Sequence, residues 1–207
     1  MIRPCLASLA IFVALSILSP FPLFSAPQGA MERVKAVLDT AIDIQTRKDL
    51  EGELQRKERA RLVRELIAGS FVSSDMARES LGAHWKKLSA SQQAEFQKLF
   101  SDLFQDSYTR MVLNFLRKET IEYRGETPRG KGAFVQTVIM RANEHIPVDY
   151  HMVQKAGQWW IRDVEIDGVS VVANYRETFN REISRTSFES LLQRMRLQNQ
   201  AMGRDGS

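Results

Sequence analysis

The sequence predicts one α+β domain, with helices wrapped around a four-stranded antiparallel sheet. Three observations predict it. Apolar residues recur at helical spacing from Met31 to Leu116. After Lys118 the texture changes to β-branched and aromatic runs separated by short turns. After Gly168 helical spacing returns. No internal repeat and no linker divides the chain, and 207 residues suit a single domain.

The N-terminus reads as a targeting segment, residues 1–26. Arg3 precedes a charge-free apolar run, Leu6 to Leu18, which fits the core of a signal peptide and is shorter than the roughly 20 residues of a membrane span. Pro20 and Pro22 follow, and cleavage is expected around Leu23 to Ala26. Removing this segment also removes Cys5, the single cysteine, so the exported domain, residues 27–198, must be held by an ordinary core without a disulfide.

Val34, Val37, Leu38, Ala41 and Ile42 mark a first helix, and Leu62, Leu66 and Phe71 a second, with a loop at Glu51-Gly52-Glu53 between them. The basic stretch Arg56–Arg61 has Glu58 within it and Glu65 just beyond, which reads as a solvated, ion-paired helix face rather than a nucleic-acid patch. Ser73 is placed as the N-cap of a short helix ending near Gly82. Ser89 to Gln92 reads as a capping box that opens a long helix. That helix carries Phe96, Leu99, Phe100, Leu103, Phe104, Tyr108, Met111, Val112, Phe115 and Leu116 on one wide stripe.

Strands are predicted over 120–123, 133–141, 146–154 and 159–166, with connections short enough to require an antiparallel meander. Ile146, Val148, Tyr150 and Met152 alternate with polar neighbours, so one face is apolar and needs the helices as a cover. Pro147 is assigned to an edge or a bulge. Helix resumes from Val169 through Tyr175, Phe179 and Ile183. Thr186 to Glu189 reads as a second capping box before a last helix, and 199–207 as a polar tail.

The sequence lacks a phosphate-binding glycine loop, a G-x-S-x-G elbow and an H-E-x-x-H pair. His145 and His151 share a strand phase but lack a third partner for a metal. Asp149 and Asp163 remain as carboxylates for acid–base work in an apolar pocket, with a hydrogen-bonded structural role as the alternative for Asp163. A sheet curved around so aromatic a helix either packs solid or encloses a cavity, and periodicity leaves both open.

The segments Phe71 to Gly82, Trp85, and Leu88 to Phe96 resemble the MlaC/toluene-tolerance family of periplasmic phospholipid-binding proteins. So do Ile146 to Tyr150, Trp159, Ile161 to Val164, Asp167 to Ser170, Asn174 to Arg176 and Phe179. The likeness runs from Met31 to Leu197, with departures at Val72 and Arg162. It implies an NTF2/cystatin-like fold around an apolar cavity and a non-enzymatic periplasmic lipid carrier without a cofactor or a bound metal. Phospholipid would be its cargo, and its partners an inner-membrane ABC transporter complex and an outer-membrane lipoprotein–porin complex, with no nucleic acid. A related branch is associated with hopanoid lipids, and an enzyme using a buried Asp in the same cavity is the rival of another class. The cavity candidates are Met76, Leu81, Trp85, Phe100, Phe104, Tyr108, Val138, Val148, Tyr150, Trp160, Val164, Tyr175 and Phe179.

Overall fold

Apolar residues at helical spacing close a first helix, α1 (Ala30–Thr46), whose Val34, Val37, Leu38 and Ala41 are buried. In this computed structural model residues 29–205 are described, apart from 118 and 142. The targeting segment at 1–26 lies outside the described residues. Gly52, at φ 88°, turns the chain between two short 3-10 turns into α2 (Arg56–Ala68). The basic face of α2 is ion-paired as its spacing predicts, with Arg61 bonded to Glu58 and to Glu65. Arg59 instead turns inward and donates to the Leu50 and Gly52 carbonyls, which fixes the loop.

Helix α3 (Ser73–Leu81) starts one residue earlier than expected. Val72 takes the N-cap position and makes no side-chain cap, while the Ser73 hydroxyl accepts a bond from Ser101 on the long helix. That helix, α4 (Ala90–Phe115), opens on the expected capping box of Ser89 and Gln92. At its far end Gln45 of α1 donates to the Val112 and Leu116 carbonyls, at 2.9 and 3.2 Å, and so satisfies two of the acceptors a helix end leaves open.

The sheet is a meander, β1 (Thr120–Arg129), β2 (Gly132–Arg141), β3 (Glu144–Lys155), β4 (Gln158–Ile166) and β5 (Val169–Ser170), antiparallel throughout and in sequence order. It therefore has five strands, not four. Asp167 and Gly168 both adopt positive φ, 50° and 76°, and close a two-residue hairpin, so Val169 and Ser170 pair back on β4 before helix begins. Segment 70–72 covers another part of the same β4 edge through a parallel bridge between Phe71 and Ile161. Pro147 lies inside β3, where the β4 ladder ends. Its carbonyl faces β4 and accepts from Asp167, so its missing N–H faces the same side and removes no bond to β2.

Helix α5 (Val171–Arg185) is capped by Ser170, and α6 (Phe188–Asp205) by Ser187 rather than Thr186, whose hydroxyl donates back to Glu182. Helix α6 continues through 199–205, where the sequence reads as a polar tail, and Asn199 donates to the Leu99 carbonyl of α4.

The stripe on α4 divides between two surroundings. Its N-terminal half, Phe96, Phe100 and Phe104, is fully buried in an aromatic block with Phe71, Tyr175, Phe179 and Phe188 at centroid distances of 5.0–6.3 Å. Met76 and Leu81 of α3 are fully buried in the same core. Its C-terminal half faces the sheet across empty space.

Candidate functional site

That space is an apolar cavity of about 260 Å³. Its floor is the inner face of the sheet: Ile139 of β2, Ile146, Val148 and Tyr150 of β3, and Ile161, Val164 and Ile166 of β4. Val37, Leu38 and Ala41 of α1 form one wall, and Val63, Leu66 and Ile67 of α2 another. Tyr108, Met111, Val112 and Phe115 of α4 form the roof, and Phe71 also lines the space. The lining reaches the surface at Phe115, which is 53% exposed, and at Arg141.

The lining offers little to a reacting group. Burial pushes the Tyr108 and Tyr150 hydroxyls well above the usual phenol range, so both stay neutral. The Tyr150 hydroxyl hydrogen-bonds Thr137, whose own Oγ1 donates to the Val148 carbonyl at 2.6 Å. Arg141 carries the one charge among the described residues of the lining.

Of the thirteen candidates named from the sequence, the structure brings Tyr108, Val148, Tyr150 and Val164 together around this space. The other nine stand elsewhere. Met76, Leu81, Phe100, Phe104, Tyr175 and Phe179 pack in the core of α3–α6. Trp85 lies in the 3-10 turn before α4, where its carbonyl accepts from Gln93. Val138 pairs with Pro147, and Trp160 with Val153, on the outer face of the sheet. The residues that sequence reasoning missed are those of α1 and α2, Phe71, Met111 to Leu116 where they line the space, and Ile139, Arg141, Ile146, Ile161 and Ile166 of the sheet. Arg141 pairs with Glu144 across the β2–β3 turn, which puts odd β2 positions opposite even β3 positions. Ile139 and Arg141, not Val138, therefore share the face of Ile146 and Val148.

The two carboxylates weighed as bases are also placed. Asp163 accepts from Val164 N–H at 2.8 Å, from Val172 N–H at 3.0 Å and from the Ser170 hydroxyl, so it pins the start of α5 to β4. Asp149 lies on the outer face, opposite Gln136, and burial raises its pKa against an opposing backbone bond at Thr137. His151, on the same face, bonds Glu165 at 2.6 Å and packs on Phe134. Among the described residues no three His, Cys, Asp or Glu side chains are grouped to hold a metal. No helix among them is long and apolar enough to cross a membrane.

The family model of the MlaC protein matches residues 35–197, a span that holds every element lining the cavity. The chain belongs to the MlaC family. A curated relative, the intermembrane phospholipid transport system binding protein MlaC of Haemophilus influenzae, is 24% identical over 121 residues, 56% of this chain and 56% of the relative. The chain thus spans just over half the length of that curated relative. Among solved structures, the phospholipid-binding protein from Ralstonia solanacearum in complex with a phospholipid is similar, with a TM-score of 0.68 at 22% identity. The likeness covers 86% of this chain and 99% of that one, and it shows that the two share the α+β fold described above.

Proposed function

We propose that this MlaC-family protein is a non-enzymatic periplasmic carrier that holds phospholipid acyl chains in the cavity between sheet and helices. It would shuttle lipid between an inner-membrane ABC transporter complex and an outer-membrane lipoprotein–porin complex. The observation that carries this reading is the lining itself, which is aliphatic and aromatic at every position but one. The names of the relatives point to the same cargo class.

The physical demand is plain. A diacyl phospholipid carries about 30 methylenes, each worth about 0.8 kcal/mol on leaving water, or about 24 kcal/mol in all. Unassisted passage through an aqueous compartment is negligible at that cost. A carrier needs only an interior about as apolar as a bilayer, so that transfer is nearly balanced and direction comes from its partners. Taking a methylene's share of liquid as close to that of water, about 30 Å³, the 260 Å³ cavity admits about nine methylenes.

The test is extraction and mass spectrometry of the protein purified from the periplasm. Stoichiometric phospholipid supports the carrier. Stoichiometric hopanoid moves the chain to the related branch, and protein that is always free of lipid refutes both.

A further inference from the structure

The chains of a lipid cannot tell a carrier which head group follows them, because burial of methylenes is the same for every lipid class. Discrimination needs a polar group where the chains leave the protein. The cavity supplies one such charged group, Arg141, at the last position of β2.

Three features fit Arg141 for a phosphodiester. Its guanidinium lies 5.2 Å from the centroid of the Phe115 ring, where the lining reaches the surface, and its side chain is 44% exposed. Its counter-ion there is Glu119, at 3.8 Å from Nε, well beyond the roughly 2.8 Å of a charge-assisted hydrogen bond. Glu119 is meanwhile engaged by the backbone N–H of Arg117, so that it stays in place when the guanidinium turns to another anion. A guanidinium is always charged and matches two phosphate oxygens at once, which a carboxylate held at this distance does not use.

Resting on the carrier reading, we infer that Arg141 is the head-group specificity residue. It receives the phosphate of a lipid whose chains fill the cavity, and its loose contact with Glu119 is what the phosphate replaces.

The test compares the full exported chain, freed of lipid, with R141Q and R141K by calorimetry. The two probes share one acyl chain, a lysophosphatidylglycerol and the corresponding monoacylglycerol, each below its micelle concentration. The wild type is expected to bind the phosphate-bearing probe about tenfold more tightly. R141Q is expected to bring that ratio close to one through weaker binding of the phosphate-bearing probe, and R141K to fall between. A ratio that R141Q leaves intact overturns the inference, as does equal binding of the two probes by the wild type. Inorganic phosphate supplies the same oxyanion without a chain. If it shifts the Arg141 Nε–H resonance as strongly as the lysolipid at equal concentration, the site is one for free phosphate and the inference fails. Binding of neither probe overturns the carrier reading itself, and this inference with it.

Discussion

Replacing Val148 by tryptophan is expected to abolish lipid loading while leaving the protein folded. Val148 lies on the cavity floor, between Thr137 of β2 and Ile166 of β4. In a close-packed interior so large a side chain displaces its neighbours and costs about 1–3 kcal/mol or more. Here the indole enters empty apolar space of about 260 Å³, and the contacts it gains offset the strain. The lipid loses that room. If the indole takes about half of a space for about nine methylenes, about four are excluded. At about 0.8 kcal/mol each they amount to about 3 kcal/mol, or about 200-fold in affinity. The assay is equilibrium partition of a fluorescent phospholipid between vesicles and protein, beside a thermal melt. A folded Val148→Trp protein that still takes up lipid like the wild type refutes the placement of the chains. A melt lowered as for a solid core refutes the void.

Other outcomes follow from the same structure. Phe100→Ala, in the fully buried aromatic block, should cost about 3–5 kcal/mol in urea denaturation and lower the melting temperature, with lipid uptake per folded molecule retained. Gly132→Ala places a methyl group 2.2 Å from the Met152 carbonyl oxygen, so the β2–β3 register must shift, and lower stability with altered strand amide shifts is expected. Asp149→Asn should stabilise the protein at neutral pH. The folded pKa of Asp149 is raised, so its contribution is complete below the ordinary aspartate value and is lost as pH rises through the raised one. Denaturation curves should therefore differ at pH 7 and converge in acid, and curves that coincide at pH 7 refute the assignment.

Most of the architecture is legible in the sequence because it rests on local rules. The capping box at Ser89 and the alternation of Ile146, Val148, Tyr150 and Met152 each depend on neighbours within a few residues. The fifth strand was legible too, in the Asp167-Gly168 pair, which is a strong two-residue hairpin signal. The cavity is harder to read. Phe104 and Tyr108 lie one turn apart on the same stripe, yet Phe104 packs in the solid block and Tyr108 roofs the cavity. Nothing in the residue type separates them, because filled core and empty lining use the same chemistry. The walls from α1 and α2 depend on how distant helices settle on the sheet, a relation no short window of sequence contains. Trp160 illustrates another limit. It faces outward as strict alternation from Ile161 requires, while a bulge at Arg162 keeps Val164 on the inner face with Ile161.

The division of α4 has a consequence for how such a chain can diverge. Residues 96–104 hold α3, α5 and α6 together whatever the cavity contains, whereas Tyr108, Met111, Val112 and Phe115 turn toward the space, with Thr109 and Leu113 buried between them. Substitutions at those four positions therefore reshape the cavity with less cost to the core than substitutions in the aromatic block. One continuous helix thus contains a block that folding depends on and, a turn later, a few cavity-facing positions through which a different cargo can be admitted.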